Sequence, residues 1–257
     1  MIKVPKEHFN IIKKKMKEGP TFVFSVLDST VKGTVHADST NYKSLFIQTD
    51  SGLSYVAGQL TDELFLKNLV RVFEASVNQG KRFTLFSTTP AWSCAIENLL
   101  NMKVRKIQRY AFSFDLMTYK NRKRNVISEY DITIINQNLI EHCLEFDKKY
   151  YDEYWDSIDN FLENGIGFCV KDKEKVISEG VSIFKSKNYA EIDIITDSNY
   201  RGKGLASIVA EQFIDYCLSE NIQPRWDCDV DNSASINLAS KLGFINPEKY
   251  DVYTIKI

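Results

Sequence analysis

Short blocks of alternating or continuous apolar residues, separated by polar turns, dominate the chain, with longer amphipathic stretches between them. The β-branched and aromatic runs TFVFSVL (21–27) and SLFIQT (44–49) predict strands. Leu64, Leu69, Val72 and Phe73 then recur at helical spacing after Thr61, a candidate N-cap. KRFTLFS (81–87) predicts a strand, Pro90 opens a helix through Leu99 and Leu100, and RYAFSFDL (109–116) predicts another strand. These elements are enough to close a domain by themselves.

The pattern restarts after a polar stretch, YKNRKRNVISEYD (119–131), which has the character of a linker. NLIEHCLEFDKKYYDEYW (138–155) predicts a helical run, and GFCVKDKEKVISEGVSIF predicts two strands around a charged turn at 171–175. YAEIDIIT (189–196) is a further strand. It leads through Asp197, Ser198 and Asn199 into a helix whose apolar face is Leu205, Ile208, Val209, Phe213, Tyr216 and Cys217. RWDCDV (225–230) predicts a strand, NSASINLASKLGF (232–244) a helix ending at Gly243, and YDVYTIKI a last strand. The organisation expected is an N-terminal α/β lobe over 1–120, a linker over 121–130 and a second domain over 131–257. Both halves offer hairpins, a strand, a helix and another strand, an order compatible with a diverged duplication.

Composition narrows the functional classes. The 257 residues are 44% hydrophobic and 26% charged, which is globular, and the formal net charge of −1 offers no basic field to nucleic acid or an anionic membrane. The KNRKR cluster has no interleaved aromatic platform, so it is expected to be a solvated linker with no nucleic-acid partner. The start MIKVPKEHFN has no apolar signal core and no run is long enough to span a membrane. Five scattered cysteines without CxxC spacing fit reduced thiols in the cytoplasm, and three dispersed histidines make metal chemistry improbable. DCDVDN (227–232) mimics an EF-hand start, but its sixth position is Asn232 and its twelfth Leu238, so calcium is not expected.

The most informative stretch is ITDSNYRGKGLASIVAEQF (195–213). Gly202 and Gly204 sit where a strand delivers the chain to a helix N-terminus, with Arg201 and Lys203 at the same mouth. Unpaired N–H groups and the positive dipole end suit an anion there, and glycine lets the backbone approach phosphate oxygens. A P-loop is excluded because Lys203 precedes Gly204 rather than Ser or Thr, and no glycine lies five residues before Gly202. A dinucleotide fingerprint has Ser207 where its third glycine belongs, and too little chain remains for further βαβ units, although Asp227 follows at a tolerable distance.

Residues 201–206, RGKGLA, fit the R/Q-x-x-G-x-G/A signature of the GNAT superfamily of acyl-CoA-dependent N-acetyltransferases. The following strand, then Asn232, Ser235, Lys241, Gly243 and Phe244 in the next helix, resemble the rest of that core over roughly 130–257. More narrowly, EIDIIT…YRGKGLA…WDC…N…LASKLGF resembles the zwittermicin A resistance-type acetyltransferases. The resemblance implies an α/β (α+β) GNAT fold: a central mixed, mostly antiparallel twisted sheet flanked by helices, with the N-terminal lobe as a degenerate GNAT-like half.

It also implies acetyl-CoA as cosubstrate and a small-molecule amine as acceptor. The pyrophosphate would rest on Arg201, Gly202, Lys203, Gly204, Leu205 and Ala206. The pantetheine arm would pair with Ile194, Ile195 and Thr196 between two splaying strands, and Asn232 and Ser235 would touch the cosubstrate. Glu191 is the candidate general base for direct acetyl transfer, with Asp193 on its face as substitute. Family members commonly have a tyrosine where Ala239 stands, so Tyr250 and Tyr253 are the candidate acids for the leaving thiolate. YYDEYWDSIDNF (150–161) is either an acceptor wall of aromatics and acids or an ordinary helix with Tyr151, Tyr154 and Trp155 in the core. The absent tyrosine keeps a second class open: a catalytically weak or inactive acyl-CoA-binding sensor module.

Overall fold

The computed structural model describes every residue except Lys17, Thr61, Thr88, 124–129 and Ile257. Two compact units emerge, and they are not consecutive in sequence: Met1–Tyr110 joins Lys249–Ile257 in the first, and Ala111–Glu248 forms the second.

The first unit is an α/β layer. Strands β1 (Ile2–Lys3), β2 (Gly33–Ala37), β3 (Ser44–Thr49) and β4 (Leu53–Gly58) pair antiparallel in order, and β5 (Thr84–Ser87) joins β4 in parallel. Four residues of the chain's last strand, Asp251 to Thr254, pair antiparallel with β5. The helices are α1 (Phe9–Lys15), α2 (Thr21–Leu27), α3 (Glu63–Asn78) and α4 (Pro90–Leu100). Phe46, Phe65, Phe73, Leu85, Trp92 and Tyr253 pack one core between sheet and helices. Pro90 opens α4 as expected, with the Thr89 side chain accepting from the Trp92 N–H. Thr61 lies outside the described residues; the cap on α3 is Asp62, whose side chain accepts from Leu64 and Phe65 N–H.

TFVFSVL is a helix, α2, and not a strand. All seven of its residues are buried. A short helix buried on every side has no polar stripe, so its sequence carries no period to distinguish it from a buried strand.

Strand β6 (Val104–Phe114) starts in the first unit and carries the chain into the second at Ala111, where Asp115 caps α5 (Leu116–Asn121) through the Thr118 N–H. Then follow β7 (Asp131–Ile134), α6 (Gln137–Ile140), α7 (Lys148–Trp155), α8 (Ile158–Asn164), β8 (Gly167–Asp172), β9 (Lys175–Lys185) and β10 (Tyr189–Thr196). The unit closes with α9 (Leu205–Ser219), β11 (Gln223–Asp229), α10 (Ser233–Lys241) and β12 (Phe244–Ile255), which leads back to the first unit. Strands β7 to β10 pair antiparallel, and β11 adds to β10 in parallel. The fold is therefore mixed α/β, with mostly antiparallel sheet flanked by helices. Helix α9 lies against β9 because residue 180 is glycine: a Cβ there would meet Val209 Cγ1 at 2.7 Å.

Two expectations change here. The run 138–155 is two helices, because Asn136 and Asp147 cap separate starts and the N–H groups of Leu144, Glu145 and Phe146 turn to a side chain. The expected linker falls mostly on residues outside the described set, but Arg122 is described and is not solvated. Its guanidinium lies 3.4 Å from the Tyr119 ring centroid and 3.2 Å from buried Glu211 on α9. Among the described residues, no helix is long and apolar enough to cross a membrane.

Candidate active site

The site is built where β10 leaves β11. The two strands pair at only three positions, Tyr189, Ala190 and Glu191 opposite Gln223, Pro224 and Arg225, although both continue beyond them. On the other edge, Glu191 pairs with Phe184 and Ile192 with Ser182, so Ile183 is the extra residue of a bulge on β9. Alternation along β10 is unbroken.

Main-chain direction follows from the bonds at each end. Asn188 C=O accepts from Gln223 N–H on the β11 side, whereas Asp197 N–H donates to Ile177 C=O on the β9 side. Ile195 C=O also lies on the β9 side, where it accepts from the Ser178 hydroxyl at 3.2 Å. Successive residues of a strand turn their N–H and C=O to opposite edges. Ile192, Ile194 and Thr196 thus present main chain to the edge that β11 has left, while Ile195 is turned away from it; the Ile194 N–H there is taken by Asp193 Oδ1 at 3.0 Å. Thr196 C=O takes the Arg201 Nε at 3.3 Å.

The loop that follows is held by side chains on both flanks. Asp197 caps a short turn through the Asn199 N–H at 2.9 Å and pairs with Lys175 at 2.6 Å. The Tyr200 hydroxyl donates to Asp172 at 2.9 Å, and that bond leads the rise of its pKa above the usual phenol value. Gly202 and Gly204 have φ of +78° and +81°, the left-handed region that L side chains resist. Gly204 is the N-cap of α9 and offers no side chain, and the earliest helical bond runs from Ile208 N–H to Gly204 C=O. The N–H groups of Leu205, Ala206 and Ser207 therefore have no acceptor inside the helix. A Cβ on Gly202 would meet nothing within 4 Å, so the approach is open. Arg201 is exposed, and Lys203 stands 4.8 Å over the Tyr200 ring. Donors, positive charge and open space together fit an anion, and the edge of β10 that β11 has left fits an amide-bearing arm.

Asn232 and Ser235 lie together at the start of α10, both in structural bonds. Asn232 Oδ1 accepts from Ser235 N–H at 3.0 Å, and Ser235 Oγ accepts from Trp226 Nε1 at 2.9 Å.

Glu191 and Asp193 share the face of β10 opposite α9. Glu191 is half-buried, and in register with it on β11 is Arg225, whose guanidinium covers the Tyr189 ring at 3.6 Å. Asp193 Oδ2 accepts from the Tyr150 hydroxyl at 3.1 Å. Burial, and then the Asp193 charge, push that phenol well above its usual range. Tyr151 and Trp155 are core residues, as the ordinary-helix reading holds, whereas Tyr154 is only half-buried and packs on Phe184 and Tyr150. The sequence did not single out Tyr150 as the partner of Asp193, and it missed Glu179 altogether. The available signal was one acid inside the apolar run VISEGVSIF.

Tyr250 and Tyr253 both belong to the first unit. Tyr253 is fully buried and donates to Glu97 at 2.8 Å, and burial pushes its phenol up to about 12. Ala239 is fully buried as well.

Comparison with known proteins identifies the family. A family model described as GNAT acetyltransferase matches residues 13–253. The chain is 40% identical over 235 residues to "Uncharacterized N-acetyltransferase YdfB" of Bacillus subtilis (strain 168), covering 91% of this chain and 90% of that one. A GCN5-related N-acetyltransferase-like protein from Streptococcus suis 89/1591 superposes with a TM-score of 0.72 at 26% identity, over 97% of this chain and 99% of that one. A tandem GNAT protein from the clavulanic acid biosynthesis pathway, 9% identical, shares the fold with a TM-score of 0.64 over 98% and 97% of the two chains. The family model over nearly the whole chain and the relative at 40% identity have one reading: the chain belongs to the GNAT acetyltransferase family and is an N-acetyltransferase.

Proposed function

We propose that the protein transfers an acetyl group from acetyl-CoA directly to the primary amine of a small molecule, with Glu191 as general base. The observation that carries this is the parting of β10 from β11 immediately after Glu191, beside the glycine loop. Bound acetyl-CoA supplies an acyl group already activated as a thioester. Residues 201–206 would hold its pyrophosphate, with Arg201 and Lys203 adding charge. The Ile194 C=O and the Thr196 N–H would offer main-chain partners to its pantetheine arm, since Asp193 takes the Ile194 N–H and Arg201 the Thr196 C=O. Ile192 presents an N–H at the same edge, where a donor stabilises negative charge developing on an acyl oxygen. Asn232 and Ser235 would flank the cosubstrate from α10.

An amine with a pKa of about 10.4 arrives protonated, so a carboxylate must take the proton before attack. Glu191 stands at the point of parting, and Asp193 is the second carboxylate on the same face. The leaving thiol, with a pKa of about 8.5, departs without a phenol at position 239.

The first unit reads as a degenerate GNAT-like lobe. Its β4, α3, β5 and α4 repeat the order of β10, α9, β11 and α10, with the same short parallel pairing. In place of the glycine loop it has Asp62, whose carboxylate already occupies the N–H groups that would meet an anion. The motifs around RGKGLA and LASKLGF support kinship with the zwittermicin A resistance-type acetyltransferases. Five free cysteines support a cytoplasmic location.

Calorimetric titration with acetyl-CoA and a thiol-release screen over amines test the reading. Arg201→Glu combined with Gly204→Trp should abolish acetyl-CoA binding; undiminished binding would refute the loop assignment. Glu191→Gln should lower kcat about a hundredfold at unchanged acetyl-CoA affinity. Loss in Asp193→Asn with full activity in Glu191→Gln would transfer the base to Asp193. Tight binding with no released CoA for any amine would favour the sensor module, which the buried alanine at 239 recommends as the second reading.

A further inference from the structure

Glu179 stands in the middle of β9 with 1% of its surface exposed, flanked in sequence only by apolar or small residues. A carboxylate at that depth costs several kcal/mol unless its oxygens are hydrogen-bonded. One oxygen takes three main-chain donors. Oε1 accepts the N–H of Leu144 at 3.1 Å, Glu145 at 2.9 Å and Phe146 at 3.1 Å. Three consecutive N–H groups aimed at one acceptor cannot belong to a helix, so the chain breaks there and restarts at the Asp147 cap.

The pinned segment carries the next contact. The Phe146 ring lies 4.6 Å from the Tyr150 ring, and the Tyr150 hydroxyl donates to Asp193 Oδ2 at 3.1 Å, while Oδ1 of the same carboxylate accepts the Ile194 N–H at 3.0 Å. The register returns to the start: Ile195 pairs with Glu179 and Asp193 with Val181, so the Glu179 and Asp193 side chains leave one face of adjacent strands. The circuit runs from a carboxylate on β9, through a turn and two rings packed at a tilt, to a carboxylate on β10.

We infer that Glu179 is a positioning residue for the acceptor side of the acetyl-transfer site, orienting the Asp193 carboxylate through the 144–146 turn, Phe146 and Tyr150. The functional half of this rests on the acetyltransferase reading of the β10 face, while the mechanical half stands on the circuit alone. Among the described residues, the hydrogen bonds of Glu179 run to the 144–146 turn and none to the loop at 201–206, so its removal acts on the acceptor side and spares the cosubstrate. A role in general stability would lower both together.

The test uses the full chain with two substitutions. Glu179→Gln keeps an acceptor oxygen but loses the charge that strengthens its bonds. Amide hydrogen exchange at Leu144, Glu145 and Phe146 should quicken about tenfold while the α9 amides hold. Glu179→Leu should quicken it further. Carbon NMR of ring-labelled tyrosine, with Tyr150→Phe supplying the assignment, should show the Tyr150 phenol returning toward its usual pKa. For an amine found by the screen, KM for the amine should rise at least tenfold in Glu179→Leu, with acetyl-CoA affinity within twofold of wild type. Adding Tyr150→Phe to Glu179→Leu should cost little more, since both break one circuit.

Should Glu179→Leu not fold, the exchange and kinetics of Glu179→Gln decide alone. Unchanged exchange at 144–146, an unmoved Tyr150 phenol, multiplying kinetic losses or a parallel fall in acetyl-CoA affinity would each overturn the inference. Should wild type acetylate no amine, the proposed transfer to a small amine fails, and exchange with the Tyr150 signal still decides whether Glu179 governs this circuit.

Discussion

Gly202 isolates what a single hydrogen in place of a side chain does in this loop. Its φ of +78° makes any L residue costly, by about 1–2 kcal/mol, yet among the described residues nothing beyond its two chain neighbours stands within 4 Å of a would-be Cβ. Gly202→Ala should therefore fold, with a melting temperature a few degrees lower. Acetyl-CoA affinity should fall by about tenfold or more, because the added methyl projects into the space a phosphate would approach. Calorimetry separates the two effects, and unchanged affinity would mean that the ligand does not pass over Gly202. The glycines, Arg201 and Lys203 were legible because they occupy consecutive positions at a strand-to-helix junction. The bond from Tyr150 to Asp193 was not, since its partners are 43 positions apart and neither residue type announces the other.

At the scale of the element, α10 begins with a side chain that has two candidate duties. Asn232 caps the helix through the Ser235 N–H, and the functional reading gives its amide a contact with acetyl-CoA. Asn232→Ala should cost about 1 kcal/mol of stability through the lost cap, whereas Asn232→Asp should keep it. If the amide also serves the cosubstrate, Asn232→Asp binds acetyl-CoA more weakly at an unchanged melting temperature, because it sets a negative charge near a phosphate. Equal affinity in the two proteins would leave Asn232 a cap only. Strand β10 has the very bounds its pattern predicts, 189–196, because alternation is a property of neighbours. Helix α2 and the break between α6 and α7 escaped the pattern. Complete burial erased the first one's period, and a distant carboxylate made the second.

At the scale of the molecule, ion pairs set the acid limb of stability. In the first unit Lys106 bridges Glu97 at 3.0 Å and Asp251 at 2.9 Å. Burial raises the Asp251 carboxyl, but its hydrogen bonds, led by Lys106, outweigh this and hold it below the usual range. Lys106 and then Tyr253 hold Glu97 low by the same kind of bond. A carboxylate depressed in the folded state stabilises fully above its unfolded pKa of about 4, and that contribution disappears as pH falls through the folded value. Melting temperature should thus drop below about pH 4. Asp251→Asn should start lower at neutral pH and lose less on acidification. An acid limb as steep as that of the wild type would exclude Asp251 as its source.

The sequence by itself determined the succession from β10 through the glycine loop, α9, β11 and α10, and with it the family. Alternation, left-handed glycines and N-caps are local, so adjacent residues suffice to specify them. Tertiary structure alone decided which main-chain groups reach the open edge, that Arg122 is buried against Tyr119 and Glu211, and that Glu179 turns residues 144–146 toward itself. Each of these depends on a buried charge or an exposed edge whose partner is supplied by a remote part of the chain. Such a group is stable only where that partner arrives, and no local pattern records the meeting.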